Sequence, residues 1–264
     1  MRRFLLIGAI ALLSIGAASA ADFPYKAIPA TVAPISNWSG PYVGLSAGYG
    51  WGDVRTTSQS LTTDGPGVGL PAGSFKPAST FTGLDAKQDM NGAIAGGFAG
   101  YNYQIGKIVV GGETEAFWSN FRADNAFSGS PLGPQYATRV RGDYGGDTVA
   151  RLGYDLGNFL PYIKGGVAYQ HFSTALSDTP GPKGKPSAPT LSASSDKWQI
   201  GSVVGAGLDY KIAPNILVGV DYSHFDYGNT TYTYALAKGT TASARGRVTE
   251  DVVRVRIGYQ FSGL

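Results

Sequence analysis

Val253-Arg254-Val255-Arg256-Ile257-Gly258-Tyr259-Gln260-Phe261 alternates strictly. Val253, Val255, Ile257, Tyr259 and Phe261 fall on one face, and Arg254, Arg256 and Gln260, with Glu250 upstream, fall on the other. A period of two is the signature of a strand whose two faces meet different surroundings. Neither face suits a helix, where these residues would scatter around the axis.

Seven further runs repeat the pattern upstream. Val43, Leu45, Ala47, Tyr49 and Trp51 oppose Tyr42, Gly44, Ser46, Gly48 and Gly50. Between Asn91 and Gln104, Ala93, Ala95, Gly97, Ala99, Tyr101 and Tyr103 share a face, although Ile94 and Phe98 lie on the other and blur the register. Ile108, Val110, Gly112, Thr114, Ala116 and Trp118 oppose Glu113, Glu115 and Phe117. Thr148, Ala150, Leu152 and Tyr154 oppose Asp147, Arg151 and Asp155; Ile163, Val167 and Tyr169 oppose Lys164 and Gln170. Trp198, Ile200, Val204, Leu208 and Tyr210 oppose Gln199 and Asp209; Ile216, Val218, Val220 and Tyr222 oppose Asp221 and Ser223.

Composition agrees with strands. Only 15% of the 264 residues are charged, Gly reaches 39 and Tyr 16, against about 25% charge in ordinary soluble domains. Mean hydropathy is -0.05, so the chain is not uniformly apolar. The absence of Cys excludes a disulfide framework, a Cys-ligated zinc site and thiol catalysis.

The first twenty residues stand apart. Met1-Arg2-Arg3, the apolar Phe4 to Leu13 and the small Ala18-Ser19-Ala20 predict a signal peptide over residues 1–20, cleaved before Ala21, rather than a retained anchor. Arg2 and Arg3 are two of the 21 basic residues, so the mature chain keeps 19 against 18 acidic ones. That balance removes the argument for nucleic-acid binding. Residues 21–39, with Pro24, Pro29 and Pro34, read as an extended periplasmic leader, and residues 40–264 as the barrel.

Connections between the runs alternate in length. Gln104 to Lys107, Leu156 to Leu160 and Lys211 to Asn215 are tight; roughly 53–87, 122–144, 174–196 and 229–247 are long and rich in Gly, Pro, Ser and Thr. This asymmetry suits an outer-membrane barrel with short periplasmic turns and long outer loops. The expected fold is therefore all-β, an eight-stranded antiparallel transmembrane β-barrel. Strands cross lipid only when every backbone group is paired, which closure provides.

If the charged face lines the lumen, the other face makes a checkable prediction about aromatics. Tyr101, Tyr103, Tyr154, Tyr210, Tyr259 and Phe261 collect at the inner end, and Tyr49, Trp51, Trp118, Tyr169, Trp198 and Tyr222 at the outer end. Two girdles follow from a register chosen by charge alone. A soluble barrel such as a lipocalin, apolar face inward, would not sort rings this way. The lumen then holds Glu113, Glu115, Asp147, Asp155, Asp209, Asp221 and Glu250 with Arg151, Lys164, Arg254 and Arg256. Eight strands leave room only for side chains, so these groups are expected to pair and plug the interior.

The chain resembles the small outer-membrane β-barrel proteins of alphaproteobacteria, in the OmpA-like barrel superfamily that includes surface immunogens and haemin-binding proteins. The resemblance rests on Asn37-Trp38-Ser39-Gly40-Pro41-Tyr42-Val43-Gly44, Gly48-Tyr49-Gly50-Trp51-Gly52, Gly96 to Gln104, Ala150 to Tyr154, Pro161 to Tyr169 and Val255 to Phe261. It implies an outer-membrane location, a structural or surface-exposed role in the cell envelope, and recognition of the Phe261 end by the barrel-assembly machinery. Family members usually end near that aromatic; here Ser262-Gly263-Leu264 follow it.

Reactive residues are sparse. His171 and His224, the only histidines, fall near the outer girdle, where they could contribute to haemin capture or serve as polar rim residues. No cofactor, metal or catalytic residue is otherwise expected. A hydrolase or acyltransferase would need a nucleophile beside a base, and no such set converges. Arg139 with Arg141, Lys183 with Lys185, and Arg245 with Arg247 could contact lipopolysaccharide phosphates, since a spacing of two places both members on one face. A haemin or other ligand receptor and a small ion channel are the alternative functions.

Overall fold

The computed structural model describes residues 37–63, 79–81, 86–127, 136–178, 192–235 and 240–261. It contains nine strands: β1 (Gly40–Thr63), β2 (Ser79–Phe81), β3 (Ala86–Ile105), β4 (Ile108–Phe127), β5 (Tyr136–Tyr154), β6 (Phe159–Asp178), β7 (Ser192–Ala213), β8 (Ile216–Ala235) and β9 (Thr240–Gln260). All pairings are antiparallel; β1 pairs with β2 and β3, each strand from β3 to β8 pairs with the next, and β1 also pairs with β9, which closes the sheet. Eight strands form the barrel; three-residue β2 pairs with Gln59 to Leu61 of β1, beyond the end of the β1–β3 ladder.

The turn end is built from short connections. Gly106-Lys107 and Pro214-Asn215 join β3–β4 and β7–β8, and Asp155-Leu156-Gly157-Asn158 joins β5–β6. Gly106 and Gly157 have φ of +62° and +79°, a left-handed conformation that glycine adopts without Cβ strain.

The loop end departs from expectation. Barrel strands run 19 to 24 residues, where about 10 suffice to cross a bilayer at the usual tilt. Segments expected as long loops are therefore in part paired strand: the β1–β9 ladder continues to Thr63–Thr240, and the β4–β5 ladder to Phe127–Tyr136. Ser and Thr on both faces hide the period of two, yet Thr tolerates extended backbone well. The barrel thus rises well past any apolar band, about 25 Å tall in such proteins.

Wall orientation follows the alternation. Leu45, Tyr103, Ile163, Ile200 and Val255 are among the most exposed large side chains, while their chain neighbours point inward. In β3 the ambiguity resolves with Ile94 and Phe98 in the lumen, both buried. A bulge between Gly142 and Gly145 inserts one residue into β5, so outward positions are even-numbered below it and odd-numbered above it.

Candidate functional site

The interior is filled in three tiers. At the turn end, Trp38 is 1% exposed and packs with Val109 and Leu160. Its backbone N–H donates to Gln104 Oε1 at 2.8 Å, and its indole N–H donates to Asp155 Oδ1 and Gly157 O at 3.2 Å each. The Lys211 ammonium stands 4.6 Å from the Trp38 ring centroid and donates to Asn37 O at 2.5 Å. Trp38 therefore corks the barrel. Asp155, expected within the lumen, instead sits half-buried at this mouth, bonded to Trp38, Gln104 and Gly157.

The cork makes a modest prediction. Trp38→Phe keeps the ring and loses two indole hydrogen bonds, so it should cost about 1 kcal/mol. A lower urea midpoint for detergent-folded protein, with the slope unchanged, would show it; an unchanged midpoint would mean the indole bonds contribute nothing.

Above the cork lies an ionic tier. Arg151 donates to Glu113 Oε2 at 2.8 Å, Asp209 Oδ2 at 2.6 Å and Tyr42 Oη at 2.7 Å. Arg256 donates to Glu113 and to Tyr162 Oη, and lies 3.8 Å from Asp209. Lys164 pairs with Asp221 at 2.7 Å, and Arg254 spans Asp221 at 3.3 Å and Glu115 at 3.6 Å. Ser46 donates to Glu115. Each of these charged side chains is buried, so the groups compensate one another where no water can. Asp147 and Glu250 are buried as well, yet neither forms an ion pair among the described residues.

The third tier was not legible in the sequence. Towards the loop end the lumen is largely apolar: Val54, Met90, Ile94, Phe117, Phe121, Phe172, Val203, Phe225 and Val248 form one buried cluster, with the buried Gln170 bonded to Ser119 and Tyr227 among them. Arg256 over Phe98, at 4.0 Å, and Arg254 over Phe225, at 5.3 Å, join the ionic and apolar tiers.

Outside, two rings of aromatics flank the apolar wall. Tyr101, Tyr103, Tyr154, Tyr259 and Phe261 are exposed near the turn end, with Tyr210 half-buried against Phe159. Tyr49, Trp51, Trp118, Trp198 and Tyr222 are exposed towards the loops, with Tyr169 partly covered. Tyr144, within a stretch expected as a loop, joins this outer ring.

The two histidines occupy this outer ring but are not brought together. His171 stacks on Tyr144 at 4.8 Å and meets Trp198 edge-on. His224 bonds Asp251 at 2.8 Å, an oxygen that also accepts from Tyr222. His171 faces Trp198 and His224 faces Val204 on the same strand β7; six residues separate those partners, about 20 Å at 3.3 Å per residue. A haem iron could take one of them, not both.

Arg139, Arg141, Arg245 and Arg247 are exposed on the wall of β5 and β9 above the outer ring. Arg247 pairs with Asp226, and the Arg247 guanidinium holds that carboxyl below the usual carboxylate range. Lys183 and Lys185 lie outside the described residues.

Comparison with known proteins gives this geometry a family. Residues 8–261 match the outer membrane protein beta-barrel domain family. The chain is 32% identical over 266 residues to the 25 kDa outer-membrane immunogenic protein of Brucella abortus, covering 97% of both. It is 29% identical to the 31 kDa outer-membrane immunogenic protein of Brucella melitensis, over 97% of this chain and 98% of that one. The 22 kDa outer membrane protein of Rhizobium leguminosarum is 30% identical, over 72% of this chain and 80% of its own length. Among solved structures, OprG from Pseudomonas aeruginosa is similar over 85% of this chain and 97% of its own, at 15% identity and a TM-score of 0.48. The chain belongs to the outer membrane protein beta-barrel family, and its place is the outer membrane.

Proposed function

We propose that this outer-membrane barrel is a sealed, non-enzymatic envelope component, with its tight turns in the periplasm and its tall, loop-bearing end at the cell surface. The observation that carries this reading is the filled lumen: Trp38 at the turn end, a paired ionic tier above it, and an apolar cluster beyond. Ion passage would require displacing the cork, breaking buried ion pairs and wetting a Phe- and Val-lined section in sequence. A structural and surface role therefore fits better than a channel. Export by a signal over residues 1–20 belongs to the same reading.

An enzyme would need a base addressing a nucleophile. Ser173 donates to Asp143, not to His171, and His224 is held by Asp251. Neither histidine is poised to activate a hydroxyl among the described residues.

The test is electrical. Protein folded in detergent, verified by a gel band that shifts on boiling, is added to a planar bilayer. No stable open state is expected at ±100 mV; a reproducible ohmic step would overturn the sealed-lumen reading.

A further inference from the structure

The outer wall carries a one-sided band of cations just above the aromatic ring. Arg55 lies four residues beyond Trp51 on β1, and Arg122 four residues beyond Trp118 on β4. Lys87 on β3 and Arg247 on β9 face Arg55 directly from either side. Arg141 on β5 faces Arg122. All five are exposed and point outward. Four residues of tilted strand amount to about 10 Å of height, which carries these groups from the aromatic ring to headgroup depth.

The band follows the ring order β9-β1-β3-β4-β5, five contiguous strands. On the remaining wall the outward positions four residues beyond the aromatics are Ser173 on β6, Ser194 on β7 and Asp226 on β8, with the exposed Asp196 between Trp198 and Ser194. Like charges directly opposed across a ladder destabilise a sheet, yet here Lys87, Arg55 and Arg247 stand three abreast and Arg122 faces Arg141. The protein supplies part of the compensation. Asp53 holds Arg55 at 2.8 Å and Lys87 at 3.8 Å, Asp89 lies 3.9 Å from Lys87, and Asp226 pairs with Arg247. For Arg122 and Arg141 no ion pair is seen among the described residues.

We propose that this arc is a binding face for the phosphorylated glycolipid of the outer leaflet. The guanidinium groups of Arg122 and Arg141 present paired N–H donors to its phosphate esters, a geometry that guanidinium satisfies bidentately, while Arg55, Lys87 and Arg247 flank them with the donors not taken by Asp53, Asp89 and Asp226. Trp51 and Trp118, directly below, meet the sugar rings, and the apolar wall beneath them meets the acyl chains. Arg55, Lys87 and Arg122 enter this face through the register alone; Lys183 and Lys185 are not needed for it. The inference rests on the surface-facing orientation of the loop end proposed above. It is independent of whether the lumen conducts, so an ohmic step in the bilayer would leave it standing.

The test uses full-length exported protein, stripped of endogenous lipid in neutral detergent, with Trp fluorescence as the readout. Bisphosphorylated lipid A, dephosphorylated lipid A and inorganic phosphate are titrated separately. Charge-reversal variants R55E/K87E/R247E and R122E/R141E should each weaken bisphosphorylated lipid A at least tenfold, while K107E at the turn end should not. Dephosphorylated lipid A should bind at least tenfold more weakly to the unmodified protein. The glutamine versions of the same sets, confirmed as folded by the gel shift, replace any reversal variant that fails to fold. Folded variants that keep the original midpoint would overturn the site. So would dephosphorylated lipid A binding equally well, or inorganic phosphate saturating at the same concentration, which would make it a free-anion site. Biotinylation of intact cells, mapped by mass spectrometry, should label Lys87 and spare Lys107; the reverse would overturn the orientation and the proposal with it.

Discussion

Gly48→Val is expected to abolish the folded, heat-modifiable form, while Gly112→Val leaves it intact. A Cβ on Gly48 would lie 2.1 Å from the Val253 carbonyl oxygen and 2.9 Å from Arg254 Cα. Gly44 and Gly52 repeat the situation at a spacing of four: their Cβ atoms would meet Ile257 O at 2.3 Å and Thr249 O at 2.1 Å. All three lie on the inward face of β1 along the seam where it pairs with β9 and closes the ring. The obstructing atoms are backbone, fixed by the ladder itself, so relief requires opening the seam. Overpacking a core by a methylene or two costs about 1–3 kcal/mol, because side chains yield; here the neighbour cannot. Gly112 is the contrast. It faces outward on β4, and a Cβ there meets only Val149 O, at 3.9 Å. Semi-native gel migration after refolding separates the two. A Gly48→Val protein that still shifts on boiling would show that the seam can relax, and would sink the explanation.

The same seam shows what the sequence could and could not reveal. Gly44, Gly48 and Gly50 fell on the lumen face of the first run by alternation alone, and a narrow interior was reason enough for small residues there. That Gly44, Gly48 and Gly52 face one particular strand needs the register of β1 against β9, two segments about two hundred residues apart. The wall was legible because lipid and lumen impose opposite polarity on successive residues, as in Val253 to Phe261. The upper lumen was not, because it is a protein core: Ile94 and Phe98 point inward and are as apolar as the outward residues beside them. Where both faces are polar, as in Thr56-Thr57-Ser58-Gln59-Ser60, alternation vanishes and the sequence does not distinguish strand from loop. Trp38 lies in a stretch with no period at all; only its burial identifies it as a cork. Arg139, Arg141, Arg245 and Arg247 could be picked out by their spacing, whereas Arg55, Lys87 and Arg122 join them only once the strands are set side by side.

Arg151→Met should destabilise the barrel by about 3–5 kcal/mol, the usual cost of removing one partner from a buried ion pair. The side chain is 3% exposed and bridges two carboxylates, Glu113 and Asp209, from above the Tyr162 ring at 3.8 Å. Without it Glu113 retains the Arg256 contacts, but Asp209 keeps only a 3.8 Å approach from Arg256 Nε. Methionine fills much of the volume, so the loss is chiefly electrostatic and should be recoverable. Asp209→Asn in the same chain removes the stranded charge and should return about half of the lost stability, a coupling a cavity alone cannot produce. Deleting Arg151 leaves Asp209 as a buried charge with one distant partner, and replacing Asp209 as well removes that charge. Reversible urea unfolding in lipid vesicles measures all three proteins. A single variant within about 1 kcal/mol of the parent would mean that water reaches this tier and screens it, and a double variant no better than the single would place the cost in packing instead.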